Sequence, residues 1–519
     1  MSNKIRGLEE LSNILDKHRA EQKRIVHCHG VFDLLHIGHI RHFEESKKMG
    51  DILVVTVTPD RYVNKGIGRP AFGQTLRAEF IAALQCVDYV AVNLWPTAID
   101  TIYRLRPHIF VKGSEFRDLK DTIGHVSKES DAVRAVGGEI AFTDDITFSS
   151  SALINQYMSQ FPEPVREYLN DFSRRCSAAE VLKPLRETES LKVLVIGETI
   201  IDEYAYCEAM GKSGKEPVLA SRALDREQHG GGVIACANHA ASFCEQVDVL
   251  TYLGEGHDQE DFVRSCCKGN VNPLFVYKER SPTIVKKRYI EKYLGQKMFE
   301  LYTMNDEPFS ETADLQFRTR LHDILPQYDV VIVADYGHGL LSQASIQLLA
   351  QEARFLSVNT QSNAGNHGFN LISKYPRADY ICLAQREYAL DTRNQRLSPE
   401  AMVRLVAERT HSPRAMMTQG KFGSFMYNAP DQFKHVPALA TQVVDRVGAG
   451  DAVLCVTSLL ASVDAPAETM AFLGNVVGAE AVTIMGNKSS IERIPLYRHV
   501  ECLLKVHQND QPDTLKMAG

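Results

Sequence analysis

Two short strings in this chain of 519 residues combine residue types that handle phosphate. The first runs Gly30-Val-Phe-Asp-Leu-Leu-His-Ile-Gly-His39 and places two imidazoles, His36 and His39, three residues apart with Gly38 between them. On the first turn of a helix, positions i and i+3 share a face, so both rings can meet one triphosphate while Gly38 lets it approach the backbone. Such a pair stabilises charge developing on an α-phosphate and needs no covalent intermediate. The second string runs Asp445-Arg-Val-Gly-Ala-Gly-Asp451 and opens the apolar run AVLCVTSLLASV. Gly448, Ala449 and Gly450 at a helix start offer free N–H groups to a transferring phosphoryl group. Asp451, at the edge of that anion hole, is placed to take the proton of an attacking hydroxyl. Taken alone, an HxxH pair also fits two surface histidines and GxGD an ordinary turn before a helix, so the surrounding elements decide.

Short apolar runs (RIVHC, ILVVTV, DYVAV, HIFVK, EIAFT) alternate with helical patterns over 40–49 and 76–86 between Arg24 and about Gln160. That alternation predicts a parallel α/β sheet. The HxGH string follows the first run, at the strand-to-helix turn where such sheets bind phosphates. A second alternating series starts with KVLVIG at Lys192 and continues through VVIVADYG, DYICL and the long apolar helix after Gly448. Between the two lies a polar stretch with Pro162, Pro164 and Pro184, expected to be partly helical. The sequence therefore divides into a first domain over 1–165, a linker over 166–190, a second domain over 191–508 and a tail over 509–519. A chain of this length supports two separate cores.

Composition is that of an ordinary globular protein, 44% hydrophobic and 24% charged, with a formal charge of −7. No dense Lys/Arg tract marks a nucleic-acid or membrane footprint, which leaves small molecules as the expected partners. The first residues are charged and amphipathic without an apolar leader, and the apolar stretch over 452–463 is too short to cross a bilayer. The eleven cysteines form no CxxC pair, the closest being the adjacent Cys266 and Cys267. They read as reduced thiols of a cytoplasmic protein.

The complete GxFDxxHxGH string resembles that of the cytidylyltransferase-like nucleotidyltransferases, over the whole first domain. The resemblance implies that Gly30, Phe32, Asp33 and Gly38 shape the nucleotide site and that His36, His39 and Lys112, in the segment VKG, serve catalysis. Lys65 and Arg69 in NKGIGRP are then expected on the second substrate's phosphate and Arg77 on phosphate. Ser149, Ser150 and Ser151 in TFSSSALI would hold the nucleotide phosphates. The DxVGAGD string resembles the signature of the ribokinase/PfkB sugar kinases, over about 191–507. It implies Asp451 as base, Asp202 with Gly231 and Gly232 on the sugar, and Thr418, Gly420 and Gly423 on ATP. Asp335-Tyr-Gly-His-Gly339 is similar to a segment of the heptose kinases. Three departures stand out: Ala235 where many relatives carry Asn, Asn359-Thr-Gln361 for a DPK-like segment, and Ala384-Gln-Arg-Glu387 for NxxE. Of the last, Glu387 alone remains to help organise metal.

The pair of domains resembles the bifunctional heptose kinase/adenylyltransferases, here in reversed order. The implied fold class is α/β, a Rossmann-like nucleotidyltransferase fold followed by a ribokinase-like fold with a small β-lid from the segments 203–222 and 283–304. The implied reactions are phosphorylation of heptose 7-phosphate at its anomeric hydroxyl and conversion of a sugar 1-phosphate with ATP into ADP-sugar and pyrophosphate. ATP and Mg²⁺, a monovalent cation in the kinase, a homodimer and a separate phosphatase acting between the steps belong to the same expectation. CTP in the first domain, another sugar or polyol phosphate, and a kinase-like domain that only binds remain open alternatives.

Overall fold

The computed structural model describes residues 3–66, 68–113, 125–143, 161–256 and 259–505. By its contacts the chain forms two compact units. One comprises Met1–Gln160, Leu169–Arg175 and Tyr497–Gly519, the other Phe161–Tyr168 and Cys176–Leu496. The stretch expected as a linker is helical, with helices over Glu163–Arg175 and Ala178–Glu187. Residues from Tyr497 onward group with the first unit, whereas the sequence pattern extends the second domain to 508.

The first unit is a five-stranded parallel sheet of β1 (Ile25–Gly30), β2 (Ile52–Val57), β3 (Tyr89–Val92), β4 (Ile109–Gly113) and β5 (Glu139–Thr143), in the order β3-β2-β1-β4-β5. Both faces of β2 are buried, as a parallel strand between helical layers requires. Ile52 and Val54 pack with Leu8, Leu11 and Leu15 of the helix Leu8–Ala20, while Leu53, Val55 and Val57 pack with Phe43 of the helix Ile37–Lys48. The order reverses at β1, which has β2 on one side and β4 on the other. The crevice at such a reversal, beyond the carboxyl ends of the strands, is where open α/β sheets take ligands. The helix carrying His39 starts there.

The second unit holds a nine-stranded sheet in the order β10-β9-β6-β13-β14-β15-β16-β17-β18. Its members are β6 (Lys192–Gly197), β9 (Gln246–Gly254), β10 (Val271–Lys278), β13 (Val330–Asp335), β14 (Leu356–Thr360), β15 (Tyr380–Ala384), β16 (Arg414–Thr418), β17 (Ser424–Asn428) and β18 (Gln432–Val436). Pairing is parallel from β10 to β16 and antiparallel beyond. The helix Ala449–Ser462 is buried at every position from Ala452 to Ala461, which accounts for its unbroken apolar sequence. A separate four-stranded sheet, β12-β11-β7-β8, is built from β7 (Thr199–Lys212), β8 (Leu219–Gly232), β11 (Ile284–Glu291) and β12 (Gln296–Thr303). These are the two segments from which the small β-lid was expected.

Candidate active sites

In the first unit, β1 ends at Gly30 and the chain turns through Phe32, which adopts φ +50°. A non-glycine residue in that region is held there by its surroundings. Here the phenyl ring lies so close over Gly30 that a Cβ on Gly30 would strike it, and it packs edge-on against Phe43 and His39. The His36 and His39 rings lie 3.9 Å apart between centroids. Residue 36 caps the helix Ile37–Lys48, and its N–H points at His39 Nδ1 at 3.4 Å. Burial, then the neighbouring His36 and Lys65, pulls His39 down to about 3; burial and Lys65 lower His36 as well. Both imidazoles are thus neutral donors or acceptors at ordinary pH.

The basic residues expected beside them have different fates. Arg69 donates to Asp33 Oδ2 at 2.8 Å, and the other oxygen of Asp33 accepts the Ala71 N–H at 2.5 Å, so the Asp33 carboxylate braces the turn. Arg77, expected on phosphate, is 1% exposed. Its guanidinium donates to the carbonyls of Phe72, Val31 and Thr58 and to Asp60. It therefore positions the turn after β1 and has no face left for a ligand. Lys112, at the end of β4, sits 2.6 Å from Glu129. Lys65 differs from these: burial lowers its ammonium to about 8, with Cys502 and Asp33 pulling it up and Lys505 and Arg69 pushing it down. Cys502 and Lys505 carry no sequence signal for this role. Ser149, Ser150 and Ser151 lie outside the described residues.

In the second unit, Gly448 takes φ +80° as the cap of the helix Ala449–Ser462, and a Cβ there would collide with the Asn487 side chain. Asp451 stands on the first turn of that helix. The Tyr336 hydroxyl favours the charged form of Asp451. Loss of water around it pushes the Asp451 carboxyl up to about 7, helped by the negative Asp202 and opposed by Tyr336 and Lys286. Asp202, 2% exposed, accepts from Arg288 Nη1 at 2.5 Å and Asn487 Nδ2 at 2.7 Å. The close pass of Gly231 is required, because a Cβ there would run into Asp202 Oδ2, and Gly232 takes φ +55° against the Glu198 carbonyl. Thr418 ends β16, and Gly423 (φ +91°) turns the loop 418–423 against the Val436 carbonyl. Gly420, also at positive φ, is open to solvent on its Cβ side.

Other carboxylates of this unit are held by the fold. Asp445 is saturated by Lys297 Nζ (2.6 Å), the Tyr204 hydroxyl (3.1 Å) and the N–H groups of Gly486 and Val447. Glu198 accepts the N–H groups of Tyr336 and His338, each at 3.0 Å, and burial beside Asp335 raises its pKa. Asp335 is held by the Tyr375 hydroxyl and Lys374 Nζ, both at 2.6 Å. The departures also resolve. Ala235 is buried in the helix Val233–Ala240, and Asn238 one turn on is spent on the Cys266 carbonyl and the Lys268 N–H. Glu387 accepts the Ser362 N–H at 3.3 Å through one oxygen, while its other oxygen is buried with no partner among the described residues. Among the described residues no group of three or more His, Cys, Asp or Glu side chains is placed to hold a metal.

Two known families match parts of this chain. The cytidylyltransferase-like family profile matches residues 27–156 and that of the pfkB family carbohydrate kinases residues 190–494. Similar curated proteins include the "Bifunctional protein HldE" of Geobacter sulfurreducens, 36% identical over 27% of this chain, and that of Methylococcus capsulatus, 38% identical over 28%. The matches span only 29% and 30% of those relatives' lengths. A solved phosphofructokinase-2 from Escherichia coli in complex with potassium overlays 61% of this chain and all of its own at a TM-score of 0.49, with 13% identity. With a match covering well over half of its 519 residues, the chain belongs to the pfkB family of carbohydrate kinases, preceded by a cytidylyltransferase-like domain.

Proposed function

We propose that the chain is a bifunctional enzyme of sugar-nucleotide synthesis, with a nucleotidyltransferase centre over His36 and His39 and a sugar kinase centre over Asp451, in domains of about 1–165 and 191–508. The observation that carries the reading is the buried Asp451 beside the anion-binding turn Gly448–Gly450, facing Asp202 and the Gly231 approach. In the kinase reaction the sugar hydroxyl, oriented by Asp202, loses its proton to Asp451 as its oxygen attacks the γ-phosphorus of ATP. Thr418, Gly420 and Gly423 border the nucleotide, and the unshared oxygen of Glu387 would help to hold a Mg²⁺ that offsets the phosphate charge.

In the transferase reaction a sugar phosphate oxygen attacks the α-phosphorus of a nucleoside triphosphate and pyrophosphate leaves. His36, His39 and Lys65 stabilise the charge at the α-phosphate, and Ser149–Ser151 would add donors. Heptose 7-phosphate and heptose 1-phosphate with ATP are the substrates this reading names, with CTP or another sugar phosphate as its variants. A cytoplasmic homodimer working beside a separate phosphatase completes it. Ala235 and Ala384 favour a second reading, in which the kinase-like unit binds sugar or nucleotide without turnover. Mass spectrometry of products from Mg²⁺, ATP or CTP and a panel of sugar phosphates, run beside His39→Ala and Asp451→Asn, tests both. An Asp451-dependent phosphorylation and a His39-dependent nucleotide sugar are expected; a panel that yields only the latter favours the second reading.

A further inference from the structure

The inner face of the small sheet carries more cationic charge than its sequence advertises. Lys286 on β11 lies in register with Asp202 on β7, and Arg288 with Tyr204. Residues two apart on a strand share a face, so the face that presents Asp202 also presents Lys286 and Arg288. On the other side of β11, Tyr302 of β12 pairs with Lys286, whose ammonium lies 5.3 Å from the centre of that ring. Lys286 is only 6% exposed.

The cations around this site differ in what holds them. Arg288 is bound to Asp202 and, at 3.2 Å, to Glu300. Lys297 is bound to Asp445 and Lys374 to Asp335. Lys278 donates to the carbonyls of Asn305 and His338. Lys286 alone of these has no ion pair or hydrogen bond among the described residues, although Asp202 is its neighbour across the strand pair; Arg288 and Asn487 hold the oxygens of Asp202. Burial lowers the pKa of Lys286, while Asp202, Glu198 and Asp451 pull it back up, so the ammonium lies within the electrostatic field of all three carboxylates. A buried cation with no fixed partner is costly unless a ligand completes it.

We infer that Lys286 is the catalytic cation of the kinase centre, contacting the phosphoryl group as it passes from ATP to the sugar. The proposal rests on the kinase reading above. In the step it serves, the sugar hydroxyl gives its proton to Asp451 and its oxygen forms a bond to the γ-phosphorus. The bond from that phosphorus to the β–γ bridging oxygen breaks, and its electron pair leaves with ADP. Lys286 exchanges no proton or electron. Its ammonium compensates the negative charge spread over the transferring oxygens, which the N–H groups at Gly448–Gly450 meet from the helix side.

The test uses the full chain and Mg²⁺-ADP with and without fluoroaluminate, an analogue of the phosphoryl group in transfer. The readout is melting temperature, so the natural sugar is not needed. In the wild-type chain fluoroaluminate is expected to add a further rise to that given by ADP. Lys286→Met should keep the ADP rise and lose the added one, and Lys286→Arg should recover part of it. On turnover, with the sugar the wild-type chain phosphorylates, kcat of Lys286→Met should fall by about 10²–10³, the usual effect of removing one such donor, with less change in KM for ATP. An added rise that survives Lys286→Met overturns the assignment while the kinase reading stands. A Lys286→Met chain that loses the ADP rise as well makes Lys286 a structural or ground-state binding group and also overturns it. A wild-type chain that ADP does not stabilise removes the kinase reading, and this proposal with it.

Discussion

The two centres are built for the same kind of group with opposite equipment. In the first unit the carboxylate of the string, Asp33, is consumed by Arg69 and the Ala71 N–H, and the two histidines are held neutral. In the second, burial lifts the Asp451 carboxyl to about 7, where it can take up a proton. The difference concerns the nucleophile. A phosphate oxygen is already ionised at neutral pH and needs positioning and charge compensation, whereas a sugar hydroxyl must lose a proton as it attacks. On the proposed reading the first centre therefore needs no base, whereas the second does.

The most severe test of this contrast removes the base. Asp451→Asn keeps the shape and the Tyr336 contact but cannot take a proton. Kinase turnover is expected to drop by about 10³–10⁴, toward the upper end for loss of a positioned base. Nucleotidyl transfer by the same preparation, read by pyrophosphate release, should be unchanged. A kinase loss of less than tenfold would end the assignment of Asp451 as base.

The matching change in the first unit is His39→Ala. It removes a charge-stabilising contact, so nucleotidyl transfer is expected to fall by about 10²–10³ while kinase turnover holds. Asp33→Asn sharpens the contrast: as a brace it should cost stability, visible as a lower melting temperature, without a change in the pH dependence of transfer.

Arg77 separates holding a site from serving in it. Arg77→Met breaks a buried guanidinium network and leaves carbonyls without donors. The first unit should lose about 3 kcal/mol of stability, as for other broken buried pairs. Denaturant unfolding should show this loss in the first unit's transition. A variant of wild-type stability that had lost only affinity for the nucleoside triphosphate would restore Arg77 to the phosphate-binding set.

Arg77 also shows where reading the sequence stops. The parallel strands were legible because a strand buried on both faces is written as a run such as ILVVTV, and the phosphate-binding turns because glycine and histidine or aspartate at fixed spacing are local features. Burial of an arginine is not local: the sequence offers a basic residue near a phosphate site, and only packing shows its donors spent on carbonyls 5, 46 and 19 residues away. Lys286 and Arg288 were legible as strand residues but not as members of a site, because the register of β11 against β7 brings Lys286 beside Asp202 from 84 positions away. Asn487 joins Asp202 from an undistinguished stretch, NKSS, by a hydrogen bond spanning 285 residues.

The smallest expected effect is in pH dependence, where the two centres should move in opposite directions. Asp451 must be ionised to act as a base, and its carboxyl lies at about 7 through burial and Asp202. Kinase kcat/KM should therefore rise about tenfold per unit as pH climbs toward 7 and level off above it. In the first unit, His39 at about 3 stays neutral over that range, and burial and Lys65 lower His36 as well. Lys65, lowered to about 8 by burial, loses its charge as pH passes that value. Nucleotidyl transfer should then be flat from pH 6 to 7.5 and decline above about 8. Profiles of kcat/KM measured on one preparation should cross, kinase gaining where transferase is level and transferase losing where kinase is level. Lys65→Arg, which stays charged, should remove the alkaline decline and leave the kinase limb in place. If the decline persists in that variant, the charge lost above pH 8 belongs to another group and Lys65 is not the cation that serves the transfer.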